Sequence, residues 1–537
     1  MKKISIIVCS VIMSSLCARA VAEDSLHYAR LHHEDINYFH NSMYGTDNPV
    51  QLSFNKSTSL MKATISGQFH RGDFHAVDQS SEHNALNVHI LGFQDFGRLK
   101  LSGDIAYTNS KDIDHRWNNT LMTSPLNPFI ICDSLFSDVT TDLFDMNAAA
   151  SYTFSKKFIG ALKLHYVTGS LADQSDPRPK TNAMRFNIKP GAYFTINQNL
   201  AVGADAFVEF YHSDIVHTLE NTLNSYIYFV MKGMGDRVDI PANEQFSRPR
   251  DYTGTKYGAS LQLNYHTNSL GDVLQLSYSR NGEDAIDGGS SFEYRSGDYK
   301  DNTFSVLNHF TLHMSPNYQH HLIIQYEQLK DEGDWYEQRR RLDSDHGNLV
   351  YYEIMAKNRI REAKQSKISA TYRLDKFTSS LPDWHASLSG DYLGFTATQD
   401  DGMIYKQKYQ MLNLRLEGTK YWNVKTSRLE TRLGAFMTSQ MGEPKYATPL
   451  ANADYSESKR ALVSTYVNPM FEYNTAASIG FQARVAYNHP IRINGKYTWW
   501  GVHAQVQQAF YTGNNKYAQC YDGANRTLMN VGLDLTF

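Results

Sequence analysis

The sequence predicts an all-β fold: a single transmembrane antiparallel β-barrel of about eighteen strands, within roughly 14 to 20. Three observations predict it. Apolar and polar residues alternate along one stretch after another, as they must when successive side chains of a strand point to opposite faces. No apolar run beyond residue 22 approaches the ~18 residues that a membrane-spanning helix requires. The connections between alternating stretches are short and long by turns, as when every second connection lies at the same end of a barrel.

In chain order, Lys2 and Lys3, the apolar run from Ile4 to Leu16, and Ala20-Val21-Ala22 before Glu23 read as a secretory signal over residues 1–22. Cleavage leaves 515 residues (537 minus 22), with 49 basic residues (52 less Lys2, Lys3 and Arg19) against 55 acidic, a net charge of −6. That balance gives no basic footprint for nucleic acid. Two cysteines remain, Cys132 and Cys520, either paired between loops or two isolated thiols.

Residues 23–50 do not alternate and are expected to form a lead-in or plug on the periplasmic side. His32, His33, Glu34 and Asp35 fall here. Adjacent histidines do not readily face one ion and no companion at i+4 supports them, so no metal site is expected. Residues 51–537 are expected to form the barrel.

Within it, Leu162 and Leu164 oppose Lys163, and Met184, Phe186 and Ile188 oppose Arg185 and Lys189. Val202, Ala204, Val208 and Phe210 oppose Asp205 and Glu209. Leu261 and Leu263 oppose Gln262, Leu429, Leu433 and Ala435 oppose Arg428, Glu430 and Arg432, and Phe481, Ala483 and Val485 oppose Arg484. Arg415 and Glu417 continue the charged set. Charges at alternate positions of one strand are foreign to a dry core, whereas in a barrel they face a wet lumen while their neighbours meet lipid. They are candidate pore-lining charges or cross-strand salt bridges stiffening the wall. Tyrosines at expected strand ends, among them Tyr107, Tyr152, Tyr166, Tyr265 and Tyr487, fit interfacial girdles.

Long loops are expected near 110–144, 169–181, 212–254, 281–301, 330–349 and 438–459. Asn474–Thr475, Asn494-Gly495 and Asp522-Gly523 are expected as tight turns. Tyr226 to Met231, apolar inside a long loop, is expected to fold inward as a constriction or plug, or to extend a strand above the membrane. Asp331 to Asp345, with Arg339-Arg340-Arg341, reads as a solvated face of an outer loop, or else as a lipopolysaccharide or divalent-cation contact. The last strand, Thr527 to Phe537, carries Met529, Val531, Leu533, Leu535 and Phe537 on one face and Asp534 on the other.

This terminal strand resembles the C-terminal signal of bacterial outer-membrane barrels, which close on a carboxy-terminal Phe. Asn127-Pro128-Phe129-Ile130-Ile131-Cys132-Asp133-Ser134 and Asp176-Pro177-Arg178 resemble loop motifs of a large uncharacterised outer-membrane barrel family of Bacteroidota. Asp47-Asn48-Pro49 is similar to the box that opens fatty-acid-transporter-type barrels, with Val50 in place of its Ala. The resemblance implies an outer-membrane location, contact with lipid and lipopolysaccharide, and recognition of Phe537 by the barrel-assembly machinery. The fatty-acid-transporter likeness further implies an amino-terminal hatch inside the barrel.

No Ser–base pair, paired carboxylates or nucleophile elbow is present in the sequence pattern, so an enzyme is not expected. No cofactor is expected either. The expected function is a channel or transporter-like barrel for an unidentified solute. A surface barrel binding a ligand or a periplasmic or surface partner through its loops is the alternative.

Overall fold

The computed structural model describes residues 28–41, 43–56, 59–221, 223–233, 235–242, 249–288, 293–315, 317–345, 347, 349–378, 381–400, 404–447, 457–493, 496–513, 521 and 523–537. The expected signal peptide, Cys520, Asn494-Gly495 and Asp522 lie outside them. Eighteen long strands form one closed antiparallel sheet. They are β1 (Leu60–Arg71), β2 (Glu82–Asp95), β3 (Leu99–His115), β4 (Ser137–Thr153), β5 (Phe158–Asp173), β6 (Pro179–Thr195), β7 (Leu200–His217), β8 (Arg250–His266) and β9 (Leu270–Asp287). There follow β10 (Tyr294–Ser315), β11 (Tyr318–Asp343), β12 (Leu349–Thr378), β13 (Leu381–Asp400), β14 (Ile404–Val424), β15 (Ser427–Gln440), β16 (Ser478–Ile493), β17 (Lys496–Tyr511) and β18 (Asn525–Thr536).

Each strand pairs with its neighbours in sequence, and β1 pairs with β18 from Lys62 opposite Thr536 to Arg71 opposite Thr527. Phe537 completes the seam: its N–H donates to the Met61 carbonyl at 2.8 Å. Closure satisfies the backbone without an edge strand, which a lipid-facing sheet needs.

The alternation has the sense a membrane demands. Leu261, Leu433, Val485 and Leu533 are 64%, 67%, 49% and 59% exposed on the outer face, whereas their neighbour Gln262 is 3% exposed. Apolar side chains on the outside and polar ones within invert the arrangement of a water-soluble barrel. Among the described residues no helix is long and apolar enough to cross a membrane.

Several sequence expectations about the connections need correction. The strands run on past the membrane at the long-loop end, so five of the expected loops, near 110–144, 169–181, 212–254, 281–301 and 330–349, are shorter than alternation alone implies, while the one expected near 438–459 is longer. β11 has 26 residues and β12 has 30, where a tilted crossing needs only about 9–11. The charged run Asp331 to Asp345 is consequently mostly strand, not loop. Residues 457–474, expected to contain a crossing and a tight turn at Asn474–Thr475, form instead a continuous helical segment at the long-loop end. Gly523 belongs to the long connection 512–524 between β17 and β18 rather than to a two-residue hairpin.

Candidate functional site

The candidate site is the lumen, and two inserted bodies occupy it. At the short-turn end lies the amino-terminal segment. Its helix α1 (His33–His40) and a 3₁₀ turn over Pro49–Phe54 run along the inner wall. Apolar anchors hold it: Ile36 and Phe39 against Phe377, Met43 and Val50 against Tyr193, Ala201 and Val273. The rest of its hold is polar. Asp35 meets the Arg373 guanidinium at 3.2 Å and accepts from the Tyr421 hydroxyl at 2.6 Å. Arg373 is itself fixed by Asp375 and stacks over the Tyr38 ring at 4.0 Å. Burial opposes the charge on Asp35, yet Arg373, His385 and Tyr421 hold its carboxyl below the usual carboxylate range. His32 is buried beside Arg428, whose Nε donates to His32 Nε2 at 3.2 Å, so burial first and Arg428 second push the imidazole down to about 3.

Asp47-Asn48-Pro49 acts as the hook. The fully buried Asn48 caps the 3₁₀ turn through the Val50 N–H. Its Nδ2 also reaches the carbonyls of Ala192 and Ala204 and Gln262 Oε1, all within 3.2 Å. Gln275 answers Asp47 in both directions, at 2.9 and 3.0 Å. Gly191 leaves the room, since a Cβ there would overlap the Asn48 side-chain oxygen and the Pro49 ring.

At the long-loop end a second body fills the mouth. Strand Tyr226–Met231, expected as a constriction or plug or as a strand extension, pairs with Arg237–Ala242 and with Ile131–Cys132 in a small three-stranded sheet. Tyr228 and Val230 pack with Phe129, Ile215, Tyr252, Trp335 and Ile360. Phe229 and Met231 pack on Trp117, Cys132 and Leu462 of the helical segment, and Phe471 and Val463 extend the same dry core onto β13 and β14. Cys132 is a fully buried thiol.

The loop motif Asn127-Pro128-Phe129 ties this core to the wall. Asn127 Nδ2 and the Ser124 N–H donate to the buried Glu283. The Phe129 carbonyl accepts from Arg250 at 2.9 Å and from the Tyr252 hydroxyl at 2.8 Å. Arg250, fully buried, is paired through two nitrogens with Asp287, at 2.5 and 2.7 Å. Asp176 caps the N–H groups of Glu220 and Asn221, joining two more outer loops.

The lumen-facing charges read from the sequence divide among these bodies. Asp205 accepts from Gln262 at 2.7 Å and so orients the side chain that meets Asn48. Arg428 serves the same amino-terminal segment. Lys163 lines a cavity of ≈ 280 Å³ between that segment and β3 to β5. Arg185 lies 3.6 Å from Glu209 and donates to the Met122 carbonyl of the outer body. Lys189 and Arg415 stand over the rings of Phe207 and Phe436, at 5.1 and 5.8 Å. Glu430 lies 3.4 Å from Arg432 and 3.5 Å from Arg484. Glu417 lies 3.8 Å from Arg432 and accepts from Gln482. Asp534 accepts from Thr64 and His503 and faces Lys62 at 3.6 Å.

The sequence reading did not find Arg250, Glu283, Arg373 or Tyr421. Arg373 was within reach, because it sits in register with Ser387 on the face opposite the exposed Tyr372. The others depend on contacts between distant segments. Among the described residues no group of three His, Cys, Asp or Glu is placed to hold a metal. Of the four neighbours His32, His33, Glu34 and Asp35, His32 and Asp35 dock the segment, through Arg428 and through Arg373 and Tyr421.

A closed sheet with an apolar exterior and a charged, internally occupied lumen defines a membrane-spanning β-barrel protein. The chain belongs to a family of unknown function (DUF6850), whose sequence model matches residues 49–537. No curated protein matches it. Among solved structures it is similar to the ferric preacinetobactin receptor of Acinetobacter baumannii at 10% identity and TM-score 0.37, over 89% of this chain and 80% of that one. The ferric yersiniabactin uptake receptor of Yersinia pestis gives 9% identity and TM-score 0.40 over 89% and 80% of the two chains. The outer membrane transporter YddB of Escherichia coli gives 8% identity and TM-score 0.39 over 90% and 81%. Likenesses of this depth assign neither substrate nor partner.

Proposed function

We propose that the protein is an outer-membrane barrel that passes a small polar solute, with the amino-terminal segment as its detachable closure on the periplasmic side. The observation that carries this reading is the difference between the two lumen bodies. The inner one is anchored by four large buried apolar side chains, Ile36, Phe39, Met43 and Val50, and otherwise by polar groups that water can replace. At about 1.5–3 kcal/mol per buried side chain, the gross apolar hold is roughly 6–12 kcal/mol. The outer body buries Trp117, Phe129, Ile131, Tyr228, Phe229, Val230, Met231, Leu462, Val463, Val467 and Phe471, more than twice as many. Release of the inner closure is therefore the easier step. The likeness of Asp47-Asn48-Pro49 to the opening of fatty-acid-transporter-type barrels fits a hatch at this place.

The thick outer core favours a second reading, a non-conducting surface barrel that captures a ligand or partner on its outer loops. Planar-bilayer recording separates the two. Under the transport reading, protein lacking residues 28–56 gives stepwise conductance that the full mature chain shows rarely. A deletion variant that folds, inserts and stays silent supports the surface-binding reading instead.

A further inference from the structure

Between α1 and the inner wall lies a second polar cavity of ≈ 270 Å³, lined by Lys62, Arg428, Arg432, Arg484, Glu430 and Asp534 among others. Its charges are not equally engaged. Asp534 is occupied by the Thr64 hydroxyl at 2.7 Å and by His503 at 2.6 Å, with Lys62 at 3.6 Å. Asp35 and Glu34 also line it, Asp35 turned to Arg373 and Tyr421 and Glu34 3.9 Å from His33. Arg428 is held by His32, Asn423 and the Pro382 carbonyl.

Arg432 and Arg484 are different. They sit directly opposite each other across β15 and β16 and face the lumen together. Like charges in that register repel unless an anion lies between them. Among the described residues, the carboxylate they share is Glu430, at 3.4 Å from Arg432 and 3.5 Å from Arg484, and Glu417 adds a 3.8 Å contact to Arg432 alone. Arg484 donates no hydrogen bond among the described residues, although its side chain is only 22% exposed. A guanidinium presents five N–H donors in a planar fork that matches a carboxylate or phosphate with two parallel bonds. Two such forks sharing one loosely held carboxylate leave most of that capacity directed into the cavity.

We infer that Arg432 and Arg484 form a subsite for the anionic group of a small solute, a carboxylate or a phosphate, with Glu430 as the resident group that the solute displaces or joins. The inference names the chemistry of the solute in the transport reading, and it rests on that reading for its purpose. The cavity is just below the ~300–1,000 Å³ of sites for drug-sized ligands, so it takes one small group rather than a bulky ligand.

The test uses the full mature chain in detergent and therefore does not depend on conduction. Binding of propionate, of its neutral amide propionamide, and of inorganic phosphate is measured by ligand-observed NMR and calorimetry. Propionate or phosphate is expected to bind at least tenfold more tightly than propionamide, and whichever of the two binds tighter identifies the group. Arg432→Gln and Arg484→Gln should each weaken anion binding at least tenfold, with the barrel's heat-modifiable gel shift checking that the variants fold. Glu430→Gln, which removes the competing carboxylate, should strengthen it. Equal binding of propionate and propionamide, or unchanged anion binding in Arg484→Gln, overturns the subsite. Anion binding that follows these variants in a barrel that never conducts leaves the subsite standing and removes the transport reading.

Discussion

Replacing Arg250 by alanine isolates what holds the outer body in the mouth. The guanidinium is fully buried and meets both oxygens of Asp287, at 2.5 and 2.7 Å, the Phe129 carbonyl at 2.9 Å and the Ser296 hydroxyl at 3.0 Å. Removal leaves the Asp287 carboxylate, only 2% exposed, with the Ser296 hydroxyl in place of its counter-charge, and leaves the Phe129 carbonyl to Tyr252 alone. Breaking a buried pair from one side costs about 3–5 kcal/mol, because the orphaned charge is left without water. At tenfold per ~1.4 kcal/mol, the opening of the segment around Phe129 and Ile131 should become roughly 100- to 4,000-fold more frequent.

Amide hydrogen exchange of residues 129–131 reads that opening directly, while the amides of β16 to β18 serve as the internal reference. The double change Arg250→Met with Asp287→Leu should recover most of the protection, since replacing both ions by apolar groups is close to neutral. Unchanged exchange in Arg250→Ala would refute the reasoning. So would a double variant as open as the single one, which would mean that the ion pair does not act as a pair.

Further outcomes follow from the inner body. Gly191→Ala places a methyl where Asn48 and Pro49 sit, and overpacking of about 1–3 kcal/mol should expose residues 28–56 to protease without altering the barrel's gel shift. Asp35→Ala, which removes the carboxylate that Arg373 and Tyr421 both meet on α1 and leaves Arg373 only the Tyr38 ring there, should loosen the same segment, read by the same digestion. Acidification should release it too. His32 is held neutral with its pKa down at about 3, so its contribution to docking is whole above the ordinary value of 6.5 and is lost as pH falls toward 3. Exchange protection of α1 is therefore expected to drop between pH 7 and 4. Asp133 in the outer body behaves oppositely: burial raises its pKa to about 6, so its contribution is greatest below 3.8 and declines as pH rises through 6. Asp133→Asn should strengthen exchange protection around Trp117 at pH 8, and no gain there contradicts that account.

The wall was legible in the sequence because its cause acts locally. Lipid on one side and water on the other impose a choice at each position, so Leu433 beside Arg432 already states which way each points. Where strands leave the bilayer that constraint lapses. Arg339, Arg340 and Arg341 then read as a loop although they continue β11. In residues 457–474 the apolar positions Leu462, Val463, Val467 and Phe471 fit a broken alternation and a helical face alike, and burial beneath the outer mouth selects the helix. The lumen contacts were legible only in part. The charged face could be assigned, but Asp35 and Arg373 stand 338 residues apart, and a local pattern carries no information about that pairing. Asn48 was noticed for its motif, while its role as a hook depends on Gly191 and Gln262 being brought to it by closure of the sheet.

The claim beneath all of this is that alternate side chains of the wall touch lipid and the others touch a polar lumen. Single-cysteine spin labels placed one by one from Arg428 to Ala435 in the vesicle-embedded protein test it most directly, by collision with oxygen from the bilayer and with a water-soluble nickel complex. The account predicts a period of two, with oxygen favoured at Leu429, Thr431, Leu433 and Ala435 and nickel at Arg428, Glu430, Arg432 and Gly434. A flat profile, or one with the two phases exchanged, would contradict it.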